Sequence, residues 1–158
     1  MHNAYDRVEW SFLKAILVKL GFKENWMNLI MQCVSSVEYG VRFNAGETGN
    51  FKPTRGLRQG DPLSPYLFLL CTESLTALLA NTEERENISG IKVSREAPSV
   101  SNLLFADDSL ILMRVNAANA EALRVVLDSY FAASRQMLRG TAGAVIKDDK
   151  GNFIVGGN

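Results

Sequence analysis

Two adjacent carboxylates, Asp107 and Asp108, stand between the apolar runs Ser101-Asn102-Leu103-Leu104-Phe105 and Leu110-Ile111-Leu112-Met113. Strand, short polar break and strand predict an antiparallel β-hairpin with the Asp pair at or beside its turn. Neighbouring carboxylates repel each other, so keeping both ionised requires solvent or a cation. Mg²⁺ suits such a pair, because it takes hard oxygen ligands and is usually held by one or two carboxylates together with substrate phosphates. The chemistry implied is phosphoryl transfer with the metal between protein and phosphate. An Asp pair also serves in plain turns by hydrogen-bonding the local backbone, so the rest of the chain must decide between the two.

A second stretch, Arg55-Gly56-Leu57-Arg58-Gln59-Gly60-Asp61-Pro62-Leu63-Ser64-Pro65, leads into the most leucine-rich segment of the chain. Arg42, Lys52, Arg55 and Arg58 cluster around it. Glycine permits close approach of backbone to a ligand. A glycine loop, arginines and a helix N-terminus together can hold phosphate. The alternative is a strand-to-helix connection in which Gly and Pro only shape the turn.

The elements that must position these residues follow from periodicity. Trp10, Leu13, Leu17 and Leu20 predict a helix over 9–20, stopped by Gly21. A second helix is predicted over 24–34, with Trp26, Leu29, Ile30 and Cys33 on one face. Residues 39–44 alternate as a strand, 45–50 read as a turn and 51–54 as the return. Ser64 as N-cap and Pro65 at the first helical position open a long helix to about Ala80, buried through Tyr66, Leu67, Leu70, Leu75, Leu78 and Leu79. Residues 81–87 read as a charged loop. Asn116 caps a last helix to about Gln136, with Ala120, Leu123, Leu127 and Tyr130 inward. Two further strands are predicted, over 140–147 and from 153, joined by a turn at 148–152.

With 158 residues and 47% apolar composition, the chain is long enough for one domain with a core. Lys plus Arg and Asp plus Glu are both 17, so bulk charge gives no argument for a polyanion partner. The single histidine, His2, excludes a His-rich zinc site and disfavours a Ser-His-Asp triad. Cys33 and Cys71 read as buried, reduced thiols of an intracellular protein, located in nucleus or cytoplasm and not secreted. No run is long enough for a membrane span.

Three motifs, Ala4-Tyr5-Asp6-Arg7-Val8-Glu9-Trp10, the stretch 55–68 and Phe105-Ala106-Asp107-Asp108, stand in the order and spacing of a known family. The chain resembles a reverse transcriptase domain of the plant non-LTR, LINE-like retrotransposon type over about residues 1–137. The resemblance implies an α+β fold, a partial palm of helices on a small antiparallel sheet, and RNA-directed DNA polymerase chemistry with two Mg²⁺ ions. It implies RNA template, RNA–DNA hybrid and deoxynucleoside triphosphate as partners. Asp107 and Asp108 match the catalytic, metal-binding pair. Tyr5 matches the aromatic that excludes ribonucleotides, and Gln59 and Gly60 match the loop that touches nucleotide and template, with Arg55 and Arg58 beside it.

The sequence also departs from that family. The first metal-binding Asp would fall one position before Met1, and Asp6, directly after Tyr5, points elsewhere and begins the helix near Val8. The fingers elements would precede Met1. Residues 138–158 resemble the opening of a plant-type ribonuclease H domain and form a β-hairpin fragment. The expectation is a truncated palm, inactive as this chain. The alternatives are a non-catalytic nucleic-acid-binding remnant and a decayed-element product without function.

Overall fold

The computed structural model describes residues 4–43, 46–47, 49–85, 88, 90–92, 94, 96–105, 108–114, 116–135, 144–147 and 153–156. Asp107, Gln136 and the predicted turn at 148–152 lie outside them, as do the first residues of the predicted strand at 140–147. Four helices, α1 (Trp10–Lys19), α2 (Glu24–Ser35), α3 (Ser64–Glu84) and α4 (Ala117–Ser134), follow a 3₁₀ turn at Tyr5–Arg7. The described strands form three two-stranded antiparallel sheets: β1 (Arg42–Phe43) with β2 (Gly46–Glu47), β3 (Asn102–Phe105) with β4 (Asp108–Ile111), and β5 (Ala144–Lys147) with β6 (Phe153–Gly156). The fold is α+β, as the sequence predicts.

Helix α3 is the axis. Its first half buries Leu67, Phe68 and Cys71 against Val8, Leu13 and Leu17, with Met27 of α2 and Leu57 completing the cluster. Its second half buries Leu75 and Leu79 against Val126 and Tyr130 of α4 and against Ile88. Phe12 touches both clusters, and its ring meets Tyr130 edge-on at 6.0 Å. The expectation that α3 packs on a sheet is corrected: it packs chiefly between α1 and α4. The β3–β4 hairpin joins it through a bond from Asn102 Nδ2 to Thr76 Oγ1 of 3.0 Å.

Helix ends follow local chemistry. Gly21, at φ +79°, closes α1 by the two bonds of a Schellman motif, Gly21 N–H to Val18 O and Phe22 N–H to Leu17 O. The Asn116 side chain accepts from Asn119 N at 2.7 Å, the predicted cap of α4. Ser64 is not the cap of α3. It lies inside the first turn, buried, while Asp61 Oδ1 accepts from Leu63 N at 2.7 Å. Asp61, three residues before the helix, closes an Asx turn on the N-cap residue Leu63, and α3 has no side-chain cap bond. Helix α3 also continues through Glu84, so the segment expected to be a loop from Asn81 is largely helical.

The buried faces differ from those predicted. In α1, Ile16 is buried and Leu20 exposed. In α2, Met27 is buried and Ile30, Met31 and Val34 pack beside it, whereas Trp26, Leu29 and Cys33 are exposed. In α3, Tyr66 and Leu78 face solvent, and Phe68, Cys71 and Thr72 are buried instead. In α4, Ala120 is exposed and Val126 is buried. Each helix kept its period, and the phase was set by the neighbour that covers it. Gly46 and Glu47, expected in a turn, pair with Phe43 and Arg42. The predicted return survives as the bridge of Tyr39 to Phe51.

Candidate functional site

The Tyr5–Arg7 turn and the glycine loop are clasped by their backbones. Gly56 N–H donates to Val8 O and Leu57 N–H to Tyr5 O, both at 2.8 Å. Trp10 Nε1 closes the arrangement by donating to Gly56 O at 2.8 Å. Gly56 has φ +91°, and a Cβ there would stand 3.0 Å from Asp6 O and 3.1 Å from Asp6 Cα. Glycine is therefore required twice over, for its φ and for the approach of a second backbone. Gly60, φ +82°, sits in the Arg58–Asp61 turn with open space at its missing Cβ. Its requirement is conformational only.

Beside this clasp lies a cleft of about 460 Å³. Arg55, Arg58 and Gln59 of the glycine loop line it together with Tyr39 and Phe51, and with Cys33, Val34 and Val37 at the end of α2. Asp6, Asp61 and the start of α3 complete the wall. The four cations seen in the sequence are not all available. Arg55 pairs with Glu9 at 3.5 Å and Lys52 with Glu38 at 3.0 Å. Both pairs are exposed, hence weak and exchangeable. The α3 N-terminus is already served by the Asp61 carboxylate, which lessens its pull on a phosphate. Arg58 is the exposed guanidinium on this wall for which no ion pair occurs among the described residues. The cleft offers amide, guanidinium and ring faces, which bind rather than react.

The other site residues are placed differently. The Tyr5 ring stacks on Phe68, centroids 4.7 Å apart and 14° between planes, and is half-buried against the first core cluster. It stands apart from the cleft wall and joins the glycine loop through its backbone. Asp6 lies in the 3₁₀ turn and lines the cleft; α1 starts only at Trp10, so Asp6 does not begin it. Phe105 pairs with Asp108, so β3 and β4 enclose residues 106 and 107, and Asp108 opens β4. Asp107 and the side chain of Asp108 lie outside the described residues.

One polar group escaped the sequence reading. Glu83, in the last turn of α3, is held below the usual carboxylate range by the Ser99 hydroxyl, with the Ser101 hydroxyl, the Gly90 backbone and the charge of Lys92 adding to it. Partial burial opposes this. A Cβ on Gly90 would lie 2.5 Å from Ser99 Oγ and 2.8 Å from Glu83 Oε1. Glu83 thus ties the residue that immediately precedes β3 to the far end of α3. A glutamate at a helix C-terminus, against the macrodipole, was the available signal. The two thiols differ as well. Cys71 is buried and pushed up to about 12 by desolvation, while Cys33 is exposed, against expectation.

Among the described residues no helix is long and apolar enough to cross a membrane. The chain is 53% identical over 66 residues to an uncharacterized mitochondrial protein of Arabidopsis thaliana, covering 42% of this chain and 54% of that one. It is 34% identical over 113 residues to a retrovirus-related Pol polyprotein from the type-1 retrotransposable element R2 of Popillia japonica, covering 71% of this chain and 15% of the polyprotein. It is 29% identical over 132 residues to an uncharacterized 149 kDa protein of transposon TX1 of Xenopus laevis, covering 84% and 10%. The chain therefore spans about half of the first relative and a small part of the other two. The family model for reverse transcriptase (RNA-dependent DNA polymerase) matches residues 1–154. By that match and these relatives, the chain belongs to the reverse transcriptase family and carries a reverse transcriptase domain of the retrotransposon type.

Proposed function

We propose that the chain supplies the template- and nucleotide-facing surface of an RNA-directed DNA polymerase from a plant-type non-LTR, LINE-like element. Its partners are RNA template, RNA–DNA hybrid and deoxynucleoside triphosphate, met inside the cell. The observation that carries the reading is the clasp between the Tyr5 turn and the glycine loop, with Arg55, Arg58 and Gln59 on one cleft wall. In this reading Arg58 contacts phosphate, joined by Arg55 when its exposed pair with Glu9 opens. Gln59 and Gly60 let the backbone approach nucleotide and template, and Tyr5, its ring braced on Phe68, supports that loop through its backbone bond to Leu57.

Asp107 and Asp108 are the residues that would hold Mg²⁺. Adjacent hard oxygen donors suit it, and a hairpin whose strands close at Phe105 and Asp108 keeps the pair together. When bound, the ion neutralises charge on the transferring phosphoryl group. Two-metal transfer also needs a carboxylate facing this pair, so the 158 residues alone are expected not to extend a primer. Residues 1–137 form the polymerase portion in this reading, and 138–158 the start of a ribonuclease H-like unit, in keeping with the β5–β6 hairpin.

Binding of the 158-residue chain to an RNA–DNA hybrid across a salt series tests the proposal. Salt-dependent binding is expected, with the slope reduced by about one unit in Arg58→Ala. A chain that does not bind the hybrid would overturn it. Primer extension on a homopolymer RNA template with Mg²⁺ or Mn²⁺ is expected to yield no product. Product that vanishes in Asp107→Ala would show that the chain suffices for catalysis.

A further inference from the structure

We propose that Tyr39 and Phe51, together with Arg58, form a stacking platform for the unpaired bases of single-stranded RNA. The proposal rests on the polymerase reading only for the source of that strand, the template not yet paired in the hybrid.

Tyr39 and Phe51 face each other across an antiparallel bridge closed by bonds of 2.9 and 2.8 Å. Their rings lie 5.8 Å apart at 29°. Both line the cleft, as do Arg58 and Gln59. Phe51 is 52% exposed. A ring that open, in the wall of a concave site and already stacked on its inner side, presents a free face to a flat ligand. Bases stack on aromatic faces without regard to sequence, and arginine adds a cation–π or phosphate contact. The volume of about 460 Å³ is that of a small-ligand site.

Charge decides which interaction dominates. Arg55 and Lys52 are paired to Glu9 and Glu38, and Asp6 and Asp61 stand on the wall. The cleft is close to neutral, so counterion release is small. Stacking must then supply most of the affinity for a short single strand, which carries few phosphates.

The test uses a six-nucleotide RNA carrying 2-aminopurine, whose fluorescence is quenched on stacking, and a blunt RNA–DNA hybrid. Both are titrated with the same proteins. The wild type is expected to quench the hexamer with a shallow salt dependence. Phe51→Ala and Phe51→Leu should weaken this about tenfold, the scale of one lost base stack, and Phe51→Trp should keep or strengthen it. Blunt-hybrid affinity, which rests on phosphate contacts and offers no unpaired base, should change less than twofold. Bound hexamer should also protect Cys33, which lines the same cleft, from maleimide. Thermal melting of the exposed-site variants is expected to match the wild type; should Phe51→Ala unfold, Leu and Trp decide. Hexamer binding that ignores Phe51, or no quenching with intact hybrid binding, overturns the platform and leaves the polymerase reading standing. Phe51-dependent quenching without hybrid binding does the reverse. Binding of neither ligand overturns both.

Discussion

The glycine loop and the Asp hairpin are held in opposite ways. The loop has no regular structure of its own between Pro53 and Leu63. Its shape comes from bonds to the distant Tyr5–Trp10 segment, Trp10 and Gly56 being 46 positions apart, and from burial of Leu57 in the core. The hairpin has a complete local ladder from Asn102–Ile111 to Phe105–Asp108, extended by Leu112 N–H to Ser101 O. Among the described residues its ties elsewhere are few, to Thr76 and through Ser101 to Glu83. The cross-strand pair Leu103 and Leu110 remains 53% and 51% exposed. A two-stranded ribbon is marginal by itself. The loop is therefore the rigid, globally coupled part, and the hairpin is the locally specified, loosely anchored one.

The strongest way to break this contrast is at Gly56. Gly56→Ala forces a side chain into positive φ and onto the Asp6 backbone. It should cost about 3 kcal/mol in urea unfolding. Gly60→Ala, with the same sign of φ but open space, should cost about 1 kcal/mol. Equal losses would mean that the clasp adds nothing to the φ strain. Trp10→Phe removes the bond to Gly56 O together with part of the indole ring, and stability should fall by about 1–2 kcal/mol. A variant indistinguishable from wild type would show that the loop holds its shape without that brace.

Asn102→Ala cuts the side-chain bond to Thr76. The global loss should be about 0.5–1 kcal/mol, with faster amide exchange confined to residues 101–112. Uniformly faster exchange would mean that the hairpin is as strongly coupled as the loop. The smallest effect depends on pH. Because the Glu83 carboxyl is lowered in the folded chain, its contribution is complete above the ordinary carboxylate value of 4.5. It is lost as pH falls through the lowered value. The stability gap between wild type and Glu83→Gln should therefore close on acidification below 4.5. A gap that widens there would contradict the clamp on Ser99 and Ser101.

Legibility divided along the same line. The hairpin was readable because alternation, a polar break and the strands themselves lie within a dozen residues. The Asn116 cap and the Gly21 stop were readable for the same reason. The Ser64 cap was misread because the helix begins one residue earlier than a serine cap requires: Leu63 is the N-cap, set by an Asx turn from Asp61. The partners of the basic cluster were not readable. Glu9 and Glu38, which neutralise Arg55 and Lys52, reach them only after the chain folds back.

The sequence by itself determined the helical and strand periods, the glycines that positive φ demands, and the family, because these depend on local sterics or on the order of motifs along the chain. Only the tertiary structure decided which face of each helix is buried. Met27 rather than Trp26, and Phe68 rather than Tyr66, turn inward because α1 and α3 approach from those sides. It also brought Tyr39, Phe51 and Arg58 to one cleft and tied Glu83 to Ser101. Periodicity specifies that a face exists; the neighbour that excludes water from it specifies which face it is.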